Sequence, residues 1–189
     1  MKRKRVAGLA VLTVLGATSF VLPQAARAQQ RVAIYVTIEG TKQGAFKGEA
    51  TGATQKGKLY GMRFNYGVSV AHDTATGQAS GKRQHSPVSF TKEWGEASAQ
   101  LFQAATTNEI LKTVVFEFVR ANAQGQQYVF QTIRLTNATI SSIRQFVGPV
   151  VPGEASEVRP WEEVSFTFQS IAIESADGKK SATDSWVAR

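Results

Sequence analysis

The sequence predicts a mainly β fold, a barrel or sandwich of packed sheets, with one short α-helix laid against its side. Three observations carry this. Apolar residues recur at every second position through most of the chain, the signature of half-buried strands. One segment alone, near residues 98–108, spaces its apolar residues as a helix does. There is no cysteine, so the fold must be held by burial or by assembly with partners.

The first element is a leader, not part of the fold. Lys2, Arg3, Lys4 and Arg5 form a basic start, Val6 to Leu22 is an uncharged apolar run, and Pro23 breaks it. Ala26-Arg27-Ala28 then offers the small residues a signal peptidase accepts, so residues 1–28 read as a secretory signal cut between Ala28 and Gln29. The membrane is then met only in transit. Residues 29–189 form one domain, 161 of the 189 residues, enough for a real core. Five of the 22 Lys and Arg leave with the leader and none of the 14 acids does, so the net charge falls from +8 to +3. The remaining bases are scattered singly, which excludes a groove that tracks nucleic-acid phosphates.

In the mature chain Val32, Ile34, Val36 and Ile38 alternate with Ala33, Thr37 and Glu39, predicting the first strand. Tyr60, Met62, Phe64, Tyr66, Val68 and Val70 repeat the pattern, with Gly61, Arg63, Asn65, Gly67 and Ser69 on the other face. Val88 and Phe90 start a short strand after Pro87. Ser98 caps a helix from Ala99, with Leu101, Phe102 and Ala105 as its apolar stripe and Asn108 as its stop. Val114, Phe116 and Phe118 oppose Val115, Glu117 and Val119, leaving apolar residues on both faces of one strand. Asn122 to Gln126 is a hairpin turn. A long strand runs from Gln127 to Asn137 and bends into Thr139 to Phe146. The last strand spans Val164 to Ile173, with a β-bulge near Gln169-Ser170 to bring Ile171 into phase. Gly40 to Lys58 and Ala71 to Ser86 read as mobile loops, and Ser175 to Arg189 as a short polar tail.

Several motifs resemble active sites and fail on context. Gly52 to Leu59 nearly matches a phosphate-binding loop, but Leu59 takes the place of the magnesium-binding hydroxyl and a strand follows. Ser89-Phe90-Thr91-Lys92 has Ser-x-x-Lys spacing, but on a strand the two side chains point to opposite faces. His72 and His85 bracket a polar loop too soft for a metal shell, so they read as solvated. Glu162 and Glu163 diverge on a strand and make a poor acid and base pair. Asn137-Ala138-Thr139 fits a glycosylation sequon by chance. The residues supply no catalytic, cofactor-binding or metal site. Their apolar surplus must meet the helix or another subunit.

The run GKRQHSPVSFTKEWGEASAQLFQAATTNEILKTVVFEFVR, Gly81 to Arg120, resembles the Hcp proteins, which form the inner tube of type VI secretion systems. The likeness continues through Tyr128 to Leu135, Ile140-Ser141-Ser142 and Glu163 to Phe166, and opens at Tyr35 to Gly40. It implies an Hcp-like β-barrel of two packed sheets with one helix on its side. Its subunits would close into homohexameric rings that stack as a tube, carry small effectors and dock with a spike protein, without catalysis. The leader departs from this pattern, since tube proteins of the family assemble in the cytoplasm. Either the ring serves outside standard type VI secretion, or translation starts near Val32 and the protein is cytoplasmic. The Gly40 to Lys58 insertion is a second departure. A monomeric secreted binding module is the competing class. An exported hydrolase lacks a clustered acid, base or nucleophile.

Overall fold

In a computed structural model that describes residues 31–149, 158–176 and 178–186, the chain forms eleven strands and one helix. The leader, with Ala26, Ala28 and Gln29, lies outside the described residues. In chain order the elements are β1 (Ala33–Gly40), β2 (Leu59–Gly61), β3 (Arg63–Asn65), β4 (Val68–His72), β5 (Ala79–His85), β6 (Val88–Glu93), α1 (Glu96–Thr106), β7 (Leu111–Ala121), β8 (Gln127–Val147), β9 (Pro160–Thr167), β10 (Ser170–Ser175) and β11 (Ser181–Ser185).

Two sheets share a strand. The first half of β8 lies between β7 and β10, in a sheet that runs β2-β1-β7-β8-β10-β11; its second half pairs with β9, which continues to β6 and β3. The corner falls at Asn137, whose left-handed φ of 48° turns the strand while its side-chain amide donates to Gln169 Oε1 at 2.6 Å. The opposite corner is Met62, the single residue between β2 and β3. Its amide donates to the Thr91 carbonyl at 2.7 Å, so one chain segment joins β1 on one side and β6 on the other. With both corners joined the sheets close into a barrel.

The core fills that barrel from both sheets. Val36, Ile38, Leu59, Phe90, Phe116, Leu135, Val164 and Phe166 are fully or almost fully buried. Phe90 and Phe166 stack at 5.9 Å, and Phe116 meets each of them edge-on. Alternation in β1, β6 and β7 is therefore the packing pattern the sequence predicts. In β7 it slips at a register shift between Phe118 and Val119, which buries Val119 and leaves Phe118 half-buried.

The structure corrects several expectations. The stretch from Tyr60 to Val70 is three strands, and Met62 reverses the phase: Leu59 and Gly61 face the core while Tyr60 and Met62 are exposed. The last strand is two, since β9 ends at Thr167 and β10 starts at Ser170; a sheet corner, not a bulge, brings Ile171 inward. Ala71 to Ser86 is mostly a hairpin, β4 paired with β5, and the polar tail contains β11. Gly40 to Lys58 is pinned, with Phe46 in the core. A Cβ at Gly48 would lie 2.2 Å from the Lys58 carbonyl carbon, so only glycine fits there. The helix starts at Glu96 behind Gly95. Ser98 sits inside the first turn, where its hydroxyl accepts the Gly95 amide at 2.9 Å. Its buried face is Ala97, Leu101 and Ala104; Phe102 points outward. Asn108, at φ 50°, ends it as expected.

Candidate assembly surface

Three polar clusters tie the loops, the helix and the hairpin to the barrel. The most buried is Lys92, on the inward face of β6 in phase with Val88 and Phe90, opposite Glu162 on β9. Lys92 is 1% exposed and Glu162 fully buried, with Nζ 3.0 Å from Oε1. The Ser98 hydroxyl donates to Glu162 at 2.7 Å and the Gln145 side-chain amide donates at 3.1 Å. This knot ties the helix N-terminus to three strands. Ser98 lies 3.5 Å from Lys92, and its oxygen accepts from the Gly95 amide while its hydroxyl donates to Glu162. Ser89 lies on the other face of β6 from Lys92, as the strand spacing predicts, and Glu163 faces away from Glu162.

The second cluster is Glu109. Its carboxylate accepts the amides of Lys42 and Gln43 at 2.7 and 2.9 Å and the Gln43 side chain at 2.9 Å. Burial pushes this carboxyl up, but the Gln43 and Lys42 donors outweigh it and hold it below the ordinary range. The third joins the hairpin to β11. His85 Nδ1 lies 2.7 Å from the Tyr66 hydroxyl and Nε2 lies 3.0 Å from Asp184, which also takes the Arg83 guanidinium. Arg83 holds the Asp184 carboxyl below its usual range, while burial and then the Asp184 charge raise Tyr66. His85 is thus packed against Tyr66, Phe168 and Trp186 instead of solvated, and His72 is apart from it, opposite Ala79 at the far end of the hairpin. The two histidines do not meet.

The segment Gly52 to Leu59 turns at Gly57 (φ 77°) and enters β2, with no helix to bind a phosphate.

What remains is surface. The outward face of the second sheet is set by register. Arg63, Thr91, Glu163 and Arg144 lie abreast across β3, β6, β9 and β8. One step along the strands, Trp161 and Phe146 lie abreast, with Met62 close by at the corner. Of these, Met62, Arg63, Thr91, Phe146, Trp161 and Glu163 line an open groove of about 350 Å³. Met62 is 52% and Phe146 39% exposed, an apolar floor that the barrel leaves uncovered. Elsewhere Phe102 stands 59% exposed on the helix, and Val68 and Val70 are exposed on the hairpin. Sequence reasoning missed both the Lys92–Glu162 knot and this groove. A signal for the knot was there: opposite charges in phase with apolar residues on two strands.

The family model described as type VI secretion system effector, Hcp, matches residues 35–174. The major exported protein of Pseudomonas aeruginosa is 32% identical over 161 residues, spanning 80% of this chain and 94% of that protein. A solved Hcp protein superposes with a TM-score of 0.75 at 24% identity, over 84% of this chain and 100% of its own. The Hcp1 protein of the E. coli EAEC 042 pathovar gives 0.69 at 24% identity, over 82% and 99%. At that identity the structural likeness speaks for the fold, and the fold is the closed barrel with a helix at its side.

Proposed function

This chain belongs to the Hcp family of type VI secretion proteins, and from that premise we propose that it is a structural subunit, not an enzyme, which closes into hexameric rings. The rings stack as a tube that carries small effectors and meets a spike protein. The observation that carries this reading is the distribution of exposed apolar residues. The barrel core is filled, yet the sheet groove, the helix and the hairpin each leave large apolar side chains in water. A closed ring needs two different patches per subunit, one for each neighbour, and unlike patches are what this surface offers.

The leader extends the proposal to export, with cleavage after Ala28 and a mature chain from Gln29. A relative named a major exported protein supports it. Residues 29–189 are then the assembling unit. The test is light scattering with size-exclusion chromatography on residues 29–189, followed by electron microscopy. Annuli of one size with an open centre are expected, and they should survive moderate salt because apolar burial is unscreened. A strict monomer at tens of micromolar overturns the ring and leaves a secreted binding module.

A further inference from the structure

We propose that β11 is a strap with Asp184 as its buckle: seated, it holds the β4–β5 hairpin at one angle to the barrel, and lifted, it lets the hairpin swing as a unit. The hairpin stands outside both barrel sheets. Its strands pair with each other, and among the described residues neither makes a backbone hydrogen bond to the barrel. Its neck is clamped, since the Ser86 amide donates to the Gly67 carbonyl at 2.9 Å and the Ser86 hydroxyl accepts the Gly67 amide at 2.8 Å. These bonds hold the two strands together but leave their angle to the barrel unset.

What sets that angle comes from a strand about 100 residues further along the chain. Arg83 and His85 share one face of β5, and both reach Asp184. The Arg83 guanidinium engages the carboxylate with two donors and also donates to the Ser185 carbonyl at 3.1 Å. Asp184 can only accept, so His85 Nε2 carries the hydrogen between them at 3.0 Å, and Nδ1 accepts from the Tyr66 hydroxyl at 2.7 Å. Trp186 and Phe168 meet the same imidazole edge-on at 5.2 and 5.6 Å. The strap itself is lightly held. It pairs only with β10, over five residues, and none of its residues is buried. Such an edge lifts at lower cost than a strand of the core. The coupling is reciprocal, so the hairpin holds β11 down as firmly as β11 holds the hairpin. The device is internal to one chain and does not depend on the ring.

A chain without native cysteine allows a donor and an acceptor dye to be placed at Ser80→Cys on β5 and Arg134→Cys on β8, both exposed. Single molecules of the full chain are read at nanomolar concentration, where no neighbour contributes. One narrow transfer efficiency is expected. Asp184→Ala with Trp186→Ala should broaden or shift it. Asp73→Ala removes the acceptor for the turn amides of Ala75 and Thr76 without touching the strap, and should leave it unchanged. An unmoved distribution in the strap variant overturns the proposal. Equal broadening by Asp73→Ala also overturns it, because the hairpin would then be loosening from within. The reverse direction is read by hydrogen exchange in His85→Phe, which keeps a ring against Phe168 and Trp186 but loses both polar contacts. Amides of β11 that pair with β10 should exchange at least about fivefold faster, while those between β7 and β8 stay as they were. No change in β11, or the same acceleration in both places, would break the coupling.

Discussion

Replacing Lys92 with methionine removes a charge from the least accessible polar cluster of the barrel. Glu162 would then be a buried carboxylate with two donors left, the Ser98 hydroxyl at 2.7 Å and the Gln145 amide at 3.1 Å. Breaking a buried ion pair from one side costs about 3–5 kcal/mol. The surviving donors place Lys92→Met at the low end, about 3 kcal/mol. Glu162→Leu is worse, about 4–5 kcal/mol on the same scale. It strands Lys92 with the Glu93 carbonyl and a half-exposed Glu49 at 3.7 Å, and strips Ser98 and Gln145 of their acceptor. The double variant removes both charges, so its loss should fall short of the sum by at least about 2 kcal/mol. Thermal unfolding reads this as a fall of about 6–12 °C for Lys92→Met, at roughly 2–4 °C per kcal/mol for a domain of this size. Protein concentration must be held fixed, because assembly adds its own stability. Additive losses, or a loss below about 1 kcal/mol for either single change, would refute the pair as a coupled unit.

Core packing makes a second prediction: Phe116→Ala should cost about 3–5 kcal/mol in chemical denaturation, and Phe118→Ala clearly less, about 1–2 kcal/mol, since that ring is only half-buried. Equal losses would mean that the register shift after Phe118 is misplaced. Acid should loosen the Gly40 to Lys58 segment. The folded Glu109 carboxyl titrates below its ordinary 4.5, so its contribution is present above that value and disappears as pH falls through the lower, folded one. Glu109→Gln should flatten this acid dependence; an unchanged profile would exclude Glu109 as its source. For export, the intact mass of the protein from the envelope fraction should begin at Gln29, and a cytosolic species starting near Val32 would sink the leader.

Legibility in the sequence followed burial. Strands β1, β6 and β7 were plain because each keeps one face in the core, so Val36, Phe90 and Phe116 mark the period. The strand β5 is exposed along its length up to His85, and a strand that buries almost nothing has no apolar alternation to show. The same holds for the edge strand β11 in its polar tail. Met62 hid the opposite way: a corner there flips the facing side, so a continuous apolar pattern from Tyr60 to Val70 concealed three strands. The Lys92–Glu162 knot joins residues 70 apart in the chain. Each carries a phase signal on its own strand, but which charge finds which is decided by the pairing of β6 with β9. The groove is likewise a product of register, since Arg63, Thr91 and Glu163 become neighbours only across three strands.

The pairing of β1 sets an order of events during synthesis. Val36 lies opposite Phe116, 80 residues further on, and its neighbour on the other side, β2, is too short to shield it. A nascent chain presents β1 first and can complete it only after β7 has emerged, whereas β7 and β8 meet at once across the turn at Asn122 to Gln126. The β7–β8 hairpin is therefore the expected nucleus, and β1 docks onto it late, at the slow pace of long-range pairing. Until then Val36 and Ile38 form an open apolar edge that other nascent chains can join. A chain halted before Leu111 has nowhere to put that strand, and such fragments should aggregate rather than persist as partial barrels.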